Sequence, residues 1–215
     1  MSDPRVTFSV IVPTVGRRSL RGTLASIAAQ IEPGDEILVA CNRDGDFGNS
    51  ARQTMVERAR GTHLLFIDDD DQFAVGAFSA MRDFARNNPG RVGIFRMRTL
   101  SGRVLWEEPV LRRGNVSTQM FCVPNIPGKL GSWTTSEMLT SPRGRRYDIA
   151  DFVFIRDTVA LQGEAIFEER IVAHNRGDRR VVVRSLQRVR RVVVTFALHP
   201  LRTLTKLGQR VRSAA

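Results

Sequence analysis

The 215-residue sequence predicts an α/β fold, a mostly parallel sheet flanked by helices, and three observations carry that expectation. Its N-terminal strands are continuous apolar runs, which suit strands covered on both faces. The apolar residues between those runs recur at helical spacing, so the order reads strand, helix, strand, helix, strand. Four consecutive aspartates, Asp68 to Asp71, then stand at the end of the third strand, where open α/β sheets bind ligands.

The first strand is read over residues 6–12, from Val6 to Val12, and the second over residues 35–41, from Asp35 to Cys41. Between them Leu20, Leu24, Ile27 and Ala28 mark one helix, and Ala51, Met55 and Ala59 mark the next. His63-Leu64-Leu65-Phe66-Ile67 is the third strand and leads straight into the aspartates. Adjacent carboxylates repel by roughly 1 kcal/mol per pair in water at ~4 Å, and by more where water is partly excluded. A divalent cation such as Mg²⁺ or Mn²⁺ suits such oxygen ligands and commonly joins carboxylates to substrate phosphates. The alternative is an acidic turn in water. Further on, residues 92–97 and 103–108 read as strands, residues 114–147 mainly as loop, and residues 166–172 as a last strand ending near His174.

Four landmarks in order resemble family 2 glycosyltransferases of the GT-A fold, a Rossmann-related architecture. They are Val10-Ile11-Val12-Pro13-Thr14-Val15-Gly16-Arg17, Asp35-Glu36-Ile37-Leu38-Val39, Gly48-Asn49-Ser50-Ala51-Arg52-Gln53 and Phe66-Ile67-Asp68-Asp69-Asp70-Asp71. The resemblance covers roughly residues 5 to 90 and implies transfer of a sugar from a nucleotide-sugar to a hydroxyl acceptor, with inversion at the anomeric carbon. It places Pro13, Thr14, Arg17 and Arg52 at the nucleotide, with Asp68 and Asp69 on the nucleotide-sugar, and makes Asp68-x-Asp70 the DxD element that holds the metal. Where the family usually carries two aspartates after the second strand, this chain has Cys41-Asn42. Asn42 can still pair with a base edge through its amide but lacks the charge. UDP is the first expectation for the nucleotide, ahead of GDP or a deoxythymidine nucleotide.

The same resemblance implies a second acidic motif that opens a helix and supplies the general base. Asp151, just before Phe152 and Phe154, is the match, and Asp148 is the second candidate, although its place near a helix start equally fits an N-cap. In the 114–147 region, Ser117-Thr118-Gln119, Asn125 and Trp133 offer hydroxyl, amide and aromatic contacts for the acceptor, with core packing as the alternative for Trp133.

Charge divides the chain into parts. Of 33 Lys and Arg and 22 Asp and Glu, residues 170–215 hold 12 basic and one acidic residue, so 12 minus 1 equals the whole formal charge of +11. Residues 1–175 are therefore read as the catalytic domain, 176–181 as a linker, and 182–215 as a basic amphipathic helical tail. Val182, Leu186, Val189, Val193 and Phe196 form its apolar stripe. Such a tail fits an anionic membrane surface, or packing on the domain or on a second subunit in a homodimer. A nucleic-acid module, which would interleave basic and aromatic residues, is not expected, because the domain itself is neutral and the tail has one aromatic, Phe196. A nucleotidyltransferase would want a Gly-rich phosphate loop where Pro13-Thr14-Val15-Gly16-Arg17-Arg18 has one glycine, and a non-catalytic nucleotide-sugar binder is the remaining alternative. With two cysteines, Cys41 and Cys122, both read as reduced, and no apolar run of membrane-spanning length, the expected location is cytoplasmic, with peripheral attachment at the inner membrane face as a variant.

Overall fold

The computed structural model describes residues 5–41, 45–135, 138–140, 146–175 and 194–198. Strand β1 (Phe8–Thr14) is buried along its whole length, as a central strand covered by helices on both faces must be. Parallel to it on one side runs β2 (Glu36–Cys41), with Ser9 opposite Glu36 and Thr14 opposite Cys41. On the other side runs β3 (His63–Phe66), also parallel. Helices α1 (Leu20–Ala28) and α2 (Asn49–Val56) make the crossovers the sequence predicts.

Beyond β3 the sheet becomes mixed. β4 (Asp71–Phe73) begins on the last of the four aspartates, and α3 (Ala77–Asn87), absent from the elements expected, follows it. β5 (Gly93–Arg98) pairs with the two-residue β6 (Val104–Leu105). β7 (Phe121–Pro124) then lies antiparallel between β3 and β5. It belongs to a region read as loop; its four residues are fully buried in spite of the prolines and glycines around them. A small hairpin, β8 (Met138–Thr140) with β9 (Arg146–Asp148), leads into α4 (Ala150–Gln162), and β10 (Ile166–Asn175) returns to pair with β5 and β4.

One expectation for the tail is overturned. Val194–Leu198 forms β11, a strand parallel to β2 at the sheet's edge, and not a turn of helix. The run Val192-Val193-Val194-Thr195-Phe196 is almost wholly β-branched and aromatic, and such residues favour a pleated strand over a helix. The rest of 182–215, the linker 176–181 and Asn42 lie outside the described residues. Among those described, no helix is long and apolar enough to cross a membrane.

The core is one continuous layer between sheet and helices, with Phe8, Val10, Ile11, Leu64, Leu65, Phe66, Phe121, Phe154 and Ile155 all inaccessible to water. At the N-terminal end of β3, His63 is part of it. Burial pushes the His63 imidazole down to about 4 from its usual 6.5, and its Nε2 is buried without a hydrogen-bond partner. The native state therefore holds this ring neutral, the unfolded chain protonates first as pH falls, and stability present at neutral pH is lost between about 6.5 and 4. The difference corresponds to ~3 kcal/mol. His63→Leu is expected to flatten this part of the acid sensitivity, read as a smaller drop in urea midpoint from pH 7 to pH 4.5 than the parent shows.

Candidate active site

The aspartate run resolves into two pairs with different surroundings. Asp69 and Asp71 are turned into the protein and all but inaccessible, whereas Asp68 and Asp70 remain partly exposed. Asp69 accepts from the Thr14 hydroxyl at 2.6 Å, from the Val15 amide at 3.3 Å and from Arg17 at 3.1 Å. Asp71 accepts from the buried side-chain amide of Gln119, and its backbone carbonyl accepts from Thr23 on α1 at 2.7 Å. Two of the four repelling charges are thus compensated inside the fold, which frees the alternate pair to face outward. Arg17 reaches Asp70 at 3.0 Å, and the buried Arg52 pairs with Asp68.

These groups line a cleft of about 530 Å³ at the C-terminal ends of β1, β2 and β3. Pro13, Thr14, Arg17, Arg52, Asp68, Asp69 and Asp70 all contribute to it, as do Asp148 and Asp151 from the entry to α4. Bringing Asp151 to within the same cleft as Asp68 joins residues more than 80 positions apart. Asp151 sits in the first turn of α4 and accepts from the Phe152 amide at 2.7 Å. Desolvation raises its carboxyl to about 6 from the usual 3.8; that amide and Arg52 pull it down, while Asp68 and Asp148 push it up. A carboxylate poised near neutrality in a cleft is suited to accept a proton. Asp148 has a different position. It stands one residue before Ile149, the N-cap of α4; its Oδ1 accepts from the Ala150 amide at 2.9 Å, and its other oxygen accepts from Asn49 at the start of α2.

The acceptor-side expectations fare differently. Gln119 is buried and spends its amide nitrogen on Asp71 and, at 3.3 Å, on Asp68, so it organises the carboxylates and does not offer itself to an acceptor. Asn125 lies past the end of β7, beside the start of β3, where its amide donates to the carbonyls of Ala59 (3.2 Å) and Gly61 (3.0 Å). That is the end of the sheet opposite the cleft, and Asn125 pins a turn there. Trp133 does line the cleft, yet it is 1% exposed, stacked on Phe154 with 4.5 Å between ring centres, and covered by the Arg52 guanidinium at 4.9 Å. It serves as a wall and as core. His174 stands opposite Gln72 in the β10–β4 ladder and is not among the residues lining the cleft.

Sequence reasoning missed Gly45, Asp46 and Phe47, which with the Gly48-Asn49 landmark form one side of the cleft. Asp46 caps α2 by accepting from the Gly48 and Ser50 amides, both at 2.9 Å. Gly48 has φ +82°, and a Cβ there would come within 2.9 Å of the Pro13 side chain, so this turn presses against the end of β1. An Asp two residues before a Gly-Asn pair at a helix start was the available signal. Ser117 and Thr118, expected on the acceptor side, do line the cleft from the turn before β7.

No protein-family model and no curated protein sequence matches the chain. Solved structures do. S. aureus TarS residues 1–349 superposes with a TM-score of 0.59 at 16% identity, over 79% of this chain and 60% of that one. TarS itself gives the same score and identity over 36% of its length. The complex of TarS 1–349 with UDP-GlcNAc gives a TM-score of 0.57 at 16% identity, over 79% of this chain and 58% of that one. The chain thus spans three-fifths or less of the structures it resembles, and at this identity the likeness establishes the architecture: a GT-A-like α/β fold whose mixed sheet is flanked by helices.

Proposed function

We propose that this chain is a family 2-type glycosyltransferase that moves a sugar from a nucleotide-sugar, UDP being the first choice of nucleotide, to a hydroxyl acceptor with inversion. The observation that carries the reading is the division of the aspartate run, with Asp69 and Asp71 satisfied inside and Asp68 and Asp70 presented to the cleft that also holds Asp151. The fold supports it, since TarS 1–349 shares the architecture and was crystallised in complex with UDP-GlcNAc.

In this mechanism Pro13 and Thr14 border the nucleotide, and Arg17, already at the mouth beside Asp70, supplies positive charge to the diphosphate. Asp151 takes the proton of the acceptor hydroxyl as its oxygen attacks the anomeric carbon from the face opposite the leaving group. The bond from that carbon to the phosphate oxygen breaks, and its electron pair leaves with the nucleoside diphosphate. Asp68 and Asp70 fit a Mg²⁺ or Mn²⁺ ion in the chemistry of their donor atoms, which are hard oxygens. Among the described residues no three His, Cys, Asp or Glu side chains converge as a cage of their own, so the donor's phosphates would complete the coordination shell. Held by Asp68 and Asp70, such an ion would offset the charge developing on the leaving nucleotide.

The test is release of nucleotide from a panel of UDP-, GDP- and deoxythymidine-diphosphate sugars with added Mn²⁺, alongside calorimetric affinities. Asp70→Asn is expected to abolish the enhancement of donor affinity by Mn²⁺, because a neutral amide is a poorer ligand for a hard cation. A variant that keeps the full enhancement removes the DxD assignment. Tight donor binding with no turnover on any sugar leaves a non-catalytic binder. For the basic stretch 182–215, attachment to an anionic membrane surface is proposed, and sedimentation with anionic liposomes at low and high salt tests it.

A further inference from the structure

The segment from Gly45 to Gly48 holds an unusual residue. Phe47 has φ +58°, the only non-glycine with positive φ among the described residues, and it lies between Gly45 at +75° and Gly48 at +82°. For a bulky side chain that conformation is disfavoured, and it persists only where the surroundings over-determine it. Here they do. Nη1 of the buried Arg52 donates to the Phe47 carbonyl at 2.9 Å, Asp46 gathers the Gly48 and Ser50 amides, and Gly48 abuts Pro13. The result of this constraint is a phenyl ring that lines the cleft and is 57% exposed.

Its neighbours make that exposure informative. Most of the other side chains lining the cleft are charged or polar, and its other aromatic ring, Trp133, is already engaged by Phe154 and Arg52. Val15, at the end of β1, is the second large apolar residue exposed in the cleft, at 45%. A ligand matching this surface carries a strongly charged group for the Arg17–Asp70 end and a flat, weakly polar face for Phe47. A nucleoside diphosphate has both.

We infer that Phe47 is a stacking platform for the nucleobase of the donor, held out into the cleft by Arg52 and the Asp46 cap. The inference rests on the nucleotide-sugar reading above and adds a residue and a role to it. Because every base offers a π-face, Phe47 contributes affinity without choosing among bases, and discrimination is left to polar groups elsewhere.

Calorimetry on the full chain with UDP, GDP and inorganic pyrophosphate, each with Mn²⁺, separates the possibilities. Phe47→Asn suits the test because asparagine tolerates the left-handed conformation and keeps the loop while removing the ring. It is expected to weaken the tighter-binding nucleotide roughly tenfold, the usual worth of one stacked base, with pyrophosphate affinity unchanged. Phe47→Trp, which keeps an aromatic face, is expected to retain nucleotide affinity. A nucleotide affinity unaltered by Phe47→Asn overturns the stacking role alone. Equal losses for nucleotide and pyrophosphate also overturn it, since the loop and not the ring would then matter. If the parent binds neither nucleotide better than pyrophosphate, both this inference and the donor reading fall.

Discussion

Asp151→Asn is expected to lower turnover by a factor on the order of 10² to 10⁴, the worth of a positioned general base, while nucleotide affinity stays within a few-fold of the parent. The asparagine keeps the shape and the hydrogen bond from the Phe152 amide but cannot take a proton. Asp148→Asn is expected to cost less than tenfold, because an amide oxygen can still accept from the Ala150 amide that Asp148 now holds. Stopped assays of transfer or donor hydrolysis, paired with calorimetry, read both effects. A reversed order of severity would move the base to Asp148, and two mild effects would remove the inverting mechanism altogether.

The same residue fixes a pH dependence. With its carboxyl raised to about 6 by desolvation, Asp151 is protonated and inactive as a base below that pH, so kcat/KM should climb through about 6 and level off above it. The sign for stability is opposite to that of a salt-bridged carboxylate. Between about 3.8 and 6 the native state binds this proton more readily than the unfolded chain, so folding stability falls as pH rises through the window. Above it, the ionised group costs on the order of 1–3 kcal/mol, and Asp151→Asn should be the more stable protein at neutral pH. A stabilising substitution that removes activity is the pattern expected of a carboxylate kept for chemistry.

The sequence made the N-terminal half legible because there each physical signal is local. A buried parallel strand shows as an unbroken apolar run, its crossover helix shows as helical spacing, and four adjacent carboxylates show as an electrostatic cost that something must offset. The alternate roles within the run were less visible, since they depend on partners such as Thr14 and Gln119 that lie about 50 residues away. Gln119 and Asn125 illustrate the limit well. An amide in a loop reads equally as a ligand contact or as a pin for buried polar atoms, and only the packing showed that both are pins. Strand β7 was hidden among prolines and glycines because its pairing is non-local, with β3 on one side and β5 on the other. In the tail, 3.6-residue spacing and a β-branched run competed over the same residues, and edge pairing with β2 decided for strand at Val194–Leu198.

Arg82→Met is expected to destabilise the fold by about 3–5 kcal/mol, the usual result of leaving one member of a buried ion pair behind. Arg82 on α3 is 2% exposed, and its partner Asp35, at the start of β2, has no exposed side-chain surface. One oxygen of Asp35 accepts from the Phe8 amide at 2.8 Å and the other from the Glu32 amide at 2.8 Å and from Arg82. Arg82 also donates to the Val6 carbonyl at 2.9 Å and lies 4.4 Å from the centre of the Phe8 ring. One guanidinium thus ties α3, β1 and β2 together at the end of the sheet opposite the cleft. Methionine fills a similar volume, so the expected loss reflects the uncompensated Asp35 charge more than a cavity. Adding Asp35→Asn to Arg82→Met should therefore recover part of the loss, a positive coupling in a double-mutant cycle. Urea midpoints at pH 7 measure it, and strict additivity of the two substitutions would show that packing, not charge, holds this corner. Nucleotide affinity of the folded variant should match the parent, because none of these groups lines the cleft. The fold then keeps the most deeply buried ion pair among the described residues where it stabilises the sheet, and leaves its partly exposed carboxylates at the other end, where a ligand can use them.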